Sequence, residues 1–130
     1  MNSLIKIASL SFLLIFLSGC SKDSDGDFEK NSPIYLANNG VTIKCNDFAK
    51  VGDTVENNGN TFIIVDENTL RERVANGDDL TKVCTCKITD MSELFFQSSL
   101  NQNISTWDVS NVTDMSRMFS FSEFNQDINL

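Results

Sequence analysis

The segment from Ile88 to Ile104 reads ITDMSELFFQSSLNQNI, and 24 residues later Val112 to Ile128 reads VTDMSRMFSFSEFNQDI. Nine of the 17 aligned positions are identical, and Ile88/Val112, Leu94/Met118 and Leu100/Phe124 exchange one apolar side chain for another. A unit this short cannot bury its own apolar face, so it must pack on a neighbour, and the recurrence predicts a short solenoid.

Each unit carries consistent local signals. Asp90 and Asp114 stand before Met91, Leu94, Phe95 and Met115, Met118, Phe119, apolar at i, i+3 and i+4, which predicts a short aspartate-capped helix in each copy. Asp90 with Glu93 approximates a capping box. Leu100 and Ile104 in one copy, and Phe124 and Ile128 in the other, add a second apolar pair. Ile104 to Val109 is the expected strand. The expected repeat core is Met91, Leu94, Phe95, Leu100, Ile104, Trp107, Val109, Val112, Met115, Met118, Phe119, Phe124 and Ile128, with Met91 lying over Met115 and Phe95 over Phe119. Asn101-Gln102 and Asn125-Gln126 occupy equivalent positions, where side-chain amides stack as a hydrogen-bonded ladder.

The N-terminus speaks to destination. One cation, Lys6, precedes an apolar run from Leu10 to Leu17, too short for a membrane span of about 20 residues and of signal-peptide type. The run closes on Leu17-Ser18-Gly19-Cys20, which matches the lipobox of bacterial lipoproteins and makes Cys20 the lipidated mature N-terminus. Acyl chains then hold the protein to the membrane, since each buried methylene adds about 0.8 kcal/mol. Residues 20–32 form an acidic flexible tether. Its Asp23-Ser24-Asp25-Gly26-Asp27 spacing is that of a calcium loop, but the position that must be glutamate is Ile34. Lys22-Asp23 and the acids after them resemble the surface-export signal of lipoproteins in the Bacteroidota. The expected location is the outer membrane, facing outward.

Without residues 1–19 the chain keeps nine Lys+Arg against 18 Asp+Glu, a net charge of −9. Nucleic acid is excluded as a partner, because phosphate backbones are held by clustered cations.

Lipidation of Cys20 leaves Cys45, Cys84 and Cys86, an odd number in an oxidising compartment. Cys45 is expected to bridge to Cys84 or Cys86, which share one face of a strand, and one thiol stays free. Three cysteines without a histidine fit no common closed zinc site, so no metal and no cofactor are expected.

Residues 33–87 carry strand and turn punctuation. Ile34-Tyr35-Leu36 and Val41-Thr42-Ile43 flank Asn38-Asn39-Gly40, while Val51 to Val55 and Thr61 to Val65 flank Asn57-Asn58-Gly59, which predicts two hairpins. A helix should follow, capped by Asp66 or Asn68, carrying Leu70 and Val74, and ended by Gly77. This region is the expected cap over the first repeat; residues 88–130 supply about two repeats.

Catalysis finds little support. The chain has no histidine, and no nucleophile elbow, phosphate loop or metalloprotease motif. Asp78-Asp79 after Gly77 read as solvated charge, so no catalytic residue is expected.

Ile104 to Ile128 reads ISTWDVSNVTDMSRMFSFSEFNQDI, and over Trp107 to Ser116, Met118-Phe119 and Phe124 to Ile128 it closely resembles the bacterial surface protein 26-residue repeat, the leucine-rich-repeat-like unit of BspA-type surface proteins. Leu80-Thr81-Lys82-Val83-Cys84 resembles the lead-in to these repeats in flavobacterial members. There the position of Cys86 is commonly serine, so the resemblance implies a Cys45–Cys84 bridge. It also implies a cell-surface lipoprotein that binds an unknown protein or glycan, with a passive stalk or envelope component as the alternative. The fold class so implied is α+β, a small hairpin and helix cap followed by a short leucine-rich-repeat-like solenoid. By the 24-residue offset the partner of Trp107 falls at position 131, so the last repeat is expected to be incomplete, the chain a fragment of a longer protein, and its solubility poor. Phe96 and Phe121, outside the matched apolar set, are the expected ligand contacts.

Overall fold

The computed structural model describes residues 31–128. The expected signal peptide, the lipidation expected at Cys20 and the expected tether up to Lys30 fall outside the described residues. No described helix is long and apolar enough to cross a membrane.

The first hairpin pairs β1 (Ile34–Leu36) with β2 (Ile43–Cys45) antiparallel, Ile34 opposite Cys45. The tight Asn-Gly turn expected here is replaced by a longer connection. The side-chain oxygen of Asn39 accepts from the backbone of Val41 and Thr42, both at 3.0 Å, which closes the loop and displaces Val41 from the strand. The second hairpin, β3 (Thr54–Asn57) with β4 (Asn60–Ile64), turns on Asn58 and Gly59 with φ of 49° and 75°. Positive φ at both central residues is the primed turn that Asn-Gly favours.

From β4 the chain crosses through α1 (Glu67–Asn76) to β5 (Val83–Cys84), which pairs parallel with β4. Parallel neighbours need such a crossover. Asp66 caps the helix by accepting from the Thr69 N–H at 2.8 Å, and Gly77 ends it in the left-handed region. The two small sheets, β1-β2 and β3-β4-β5, meet where β2 approaches β5. Ile64 turns into a cluster with Ile34, Ile43, Ala49, Cys84 and Cys86. Its neighbours Ile63 and Val65 face the larger core of Leu70, Leu80, Val83, Ile88, Met91 and Trp107, as alternation along a strand requires.

The leucine-rich-repeat-like solenoid is overturned. Among the described residues the regular elements are five short strands in two sheets and one helix, and neither copy of the repeat contains a strand or a helix. In place of the helices after Asp90 and Asp114 run chains of turns. Leu94, Phe96 and Ser98 donate to the carbonyls three residues back, and Met118, Ser120 and Ser122 do the same in the second copy. Glu93 and Gln97, and their equivalents Arg117 and Phe121, have φ of 53–58°, so every fourth residue reverses hand and no helix propagates. The i, i+3, i+4 apolar spacing was shared by this four-residue turn period. The Ile104–Val109 strand is likewise absent, because the Trp107 N–H turns back to the Ile104 carbonyl at 3.0 Å.

What the turns release, the neighbouring copy uses. The N–H groups of Met91, Glu93, Phe95 and Gln97 donate to the carbonyls of Asp114, Ser116, Met118 and Ser120 at 2.8–3.1 Å. Only Asp90 and Asp114 form a formal bridge. The two copies are thus laid side by side on one apolar interior.

Candidate functional site

The core residues expected from the repeat divide into three groups. Met91, Leu94, Phe95, Ile104, Trp107 and Met118 are buried, while Leu100, Val109, Val112, Phe119 and Phe124 are half-buried against them. Phe95 does lie over Phe119, with ring planes 4° apart and centroids at 5.5 Å. Met115 and Ile128 contradict the expectation: each is 41% exposed. They sit on the second copy, which among the described residues has a neighbouring copy on one side alone.

The amide ladder forms in part. Asn101 donates to the Asn125 side chain at 2.6 Å and accepts from Gln126 at 3.0 Å. Gln102 turns the other way, accepting from the Leu80 N–H at 2.7 Å and donating to the Asp78 carbonyl at 2.8 Å. Trp107 repeats that direction, its ring N–H donating to the Leu80 carbonyl at 3.1 Å in the interior. Next to it the nearly buried Asp108 pairs with Lys44 of β2 at 3.2 Å, and the Ile43 N–H meets the Thr106 carbonyl at 2.8 Å. These contacts lock the first hairpin onto the repeats.

The helix is tied to the first copy by charge. Glu67 accepts from both the N–H and the hydroxyl of Thr89 at 2.9 Å, and Thr89 holds that carboxyl below its ordinary pKa. Arg71 donates to the Ser92 carbonyl at 2.9 Å and lies 3.5 Å from Asp90. Ser92, through its hydroxyl and N–H, and then Arg71 lower the Asp90 pKa. Between α1 and the turns of the first copy opens a groove of about 540 Å³, walled by Val74, Gly77, Leu94, Phe96 and Leu100 with Arg71 at its rim.

Phe96 and Phe121, the expected ligand contacts, meet each other edge to face at 5.8 Å beside this groove. Phe121 is 83% exposed, and it occupies a left-handed backbone position. Around this pair lie groups that fold the chain: Glu93 pairs with Arg117, its equivalent one copy on.

The three cysteines gather where β2 meets β5, their sulfurs all within 4.8 Å of one another. The bridge joins Cys45 to Cys86, and Cys84 is the free thiol. The pairing with Cys84 implied by the family resemblance is therefore corrected to the alternative that the residues left open. Strand β5 ends at Cys84, and the turn after it swings Cys86 toward Cys45. Cys84 is completely buried, and burial raises its pKa to about 11.

A further copy escaped the sequence comparison. Asp66, Asp90 and Asp114 stand 24 residues apart, and each accepts from a nearby backbone N–H: Thr69, Ser92 and Ser116. Leu70, Leu94 and Met118 follow at the same offset, as do Leu80, Ile104 and Ile128. Helix α1 thus stands where the later copies have turns. Few identities survive in this copy, but its aspartate and apolar phase was readable.

Fold and contacts together define a small mixed α+β protein in which two 24-residue copies lie side by side and a disulfide ties the first hairpin to the turn after β5. Residues 66–130, half the chain, match the family model described as Mycoplasma protein of unknown function, DUF285, and the chain belongs to that family. The match begins at Asp66, the first of the three equivalent aspartates. Neither the curated proteins nor the solved structures gave a match.

Proposed function

We propose that this chain is a lipid-anchored binding protein of the outer bacterial surface, an adhesin-like repeat module of the BspA kind. Three features support the reading: the Leu17-Ser18-Gly19-Cys20 lipobox, the family membership, and a disulfide suited to an oxidising compartment.

The observation that carries the binding role is Phe121. A left-handed backbone costs a non-glycine residue roughly 1–2 kcal/mol, and Phe121 sets a large apolar ring in water at that position. Folding gains little from it. Exposed aromatic side chains that stability does not require are characteristic of recognition surfaces.

The test is binding of the full-length lipoprotein, in detergent, to immobilised extracellular-matrix proteins. Phe121→Ser should weaken capture at least tenfold with the thermal midpoint unchanged. Equal capture by the variant would leave the passive stalk as the better reading. Loss of a palmitate label in Cys20→Ala, and shaving of the protein from intact cells by protease, test the anchor and the outward location.

A further inference from the structure

The bridge between Cys45 and Cys86 has a third sulfur at its side. Cys84 Sγ lies 3.5 Å from Cys45 Sγ, against the sulfur that the bridge already uses. Thiol–disulfide exchange needs a thiolate in contact with one sulfur of the bridge and a leaving sulfur on the other side. Both are present within one cluster.

We propose that Cys86 is a thiol-modification site opened by exchange: Cys84 attacks Cys45, the bridge moves to Cys45–Cys84, and Cys86 is released to react with small disulfides. Cys84 gives up its proton, and its sulfur forms a bond to Cys45. The Cys45–Cys86 bond breaks with its electron pair on Cys86, which takes up the proton. One bridge and one thiol are present before and after, so no oxidant or reductant is consumed. In the second step the Cys86 thiolate attacks a small disulfide RS–SR, forms Cys86–SR and expels RS⁻.

The surroundings distinguish the two thiols. Both lie in the cluster of Ile34, Ile43 and Ile64, but Cys84 is completely enclosed, where no small disulfide reaches it, and Cys86 keeps 4% exposure. Cys86 lines a cleft of about 210 Å³ with Lys44, Asp47, Lys87, Asp108, Ser110 and Asn111. The two lysines there face two aspartates, with Lys44 paired to Asp108, so the opening onto the cleft rather than its charge sets Cys86 apart. The exchange therefore moves the free thiol from an enclosed position to one that borders a cleft while Cys45 stays bridged.

Burial also sets the speed. With the Cys84 pKa raised to about 11, its thiolate is roughly one molecule in ten thousand at pH 7, so exchange is slow and accelerates about tenfold per pH unit below that value.

The experiment incubates the native, bridged protein with oxidised glutathione between pH 7 and 9. Samples are quenched in acid and mapped by non-reducing digestion and mass spectrometry. The expected product carries glutathione on Cys86 with a Cys45–Cys84 bridge, and its rate rises about tenfold per pH unit. Cys84→Ser should take up none. A glutathione adduct on Cys84, or no adduct until denaturant is added, overturns the proposal. So does a Cys86→Ser variant that refolds without forming the Cys45–Cys84 bridge.

Discussion

Phe95 and Phe119, equivalent residues 24 positions apart, lie with their ring planes 4° apart at 5.5 Å and carry the contact between the two copies. Phe124 joins them, 5.6 Å from Phe95 and 4.6 Å from Phe119, and Trp107 closes the row from the other side at 6.0 Å. The row spans both copies, so ring packing there adds to the backbone hydrogen bonds that join them.

Phe95→Ala should therefore be among the most damaging single changes. Phe95 is buried in the middle of the row, and truncating a buried phenylalanine costs about 3–5 kcal/mol. Phe119 is half-buried and loses contacts on one side, so Phe119→Ala should cost about half as much. Urea denaturation followed by circular dichroism measures both. Equal losses would mean that the two rings do not share the burial described here.

Acid should loosen the join between helix and first copy. The Thr69 backbone N–H lowers the Asp66 pKa, Thr89 lowers that of Glu67, and Ser92 that of Asp90. A carboxyl whose folded pKa is depressed contributes stability that is complete above its unfolded pKa and is lost as pH falls through the folded value. Stability should be flat above about pH 5.5 and decline below about pH 4. Asp66→Ala should lower the thermal midpoint at pH 7 through the lost cap and flatten the acid limb. Thermal midpoints of both proteins from pH 2.5 to 7 check this, and parallel curves for wild type and variant would refute it.

The sequence disclosed the parts that rest on local chemistry. Asn58-Gly59 needs positive φ, Asp66 and Gly77 delimit a helix, and each acts as its residue type dictates. Apolar identity at paired positions picked out most of the buried side chains, Phe95 and Trp107 included. What escaped was the backbone between them. A spacing of i, i+3, i+4 suits both a helix and a run of turns that reverse hand every fourth residue, and the choice falls to inter-copy hydrogen bonds that no local pattern encodes. Glu93, Gln97, Arg117 and Phe121 carry no sequence mark of a left-handed position. The same limit applied to Cys84 and Cys86. Both reach Cys45, and the end of β5 decides between them.

Cys45 is the cysteine that either bridge requires. Linking positions 41 residues apart stabilises the fold by roughly 4 kcal/mol on a chain-entropy model. Cys45→Ser should lose about that amount, whereas Cys86→Ser should lose far less because Cys84 takes the place of the missing partner at 3.5 Å. Guanidinium denaturation of the three oxidised proteins separates the cases. Equal destabilisation by both variants would show that Cys84 does not substitute.

Gln102 and Gln126 occupy the same place in successive copies and should differ in worth. Both ends of the Gln102 amide are engaged, its oxygen by the Leu80 N–H and its nitrogen by the Asp78 carbonyl, so it holds the segment between α1 and β5 against the repeat. Removing the side chain leaves an amide N–H beside the buried Leu80 without its partner, and an unsatisfied buried donor costs about 1–3 kcal/mol. The Gln126 amide donates to Asn101, an exposed oxygen that Asn125 also uses. Water replaces that contact when the side chain is cut back, so Gln126→Ala should fall within about 0.5 kcal/mol of wild type. Amide hydrogen exchange gives a local readout as well: Gln102→Ala should expose the Leu80 N–H selectively, and a Leu80 amide that stays protected in this variant would place its protection elsewhere than in the glutamine contact.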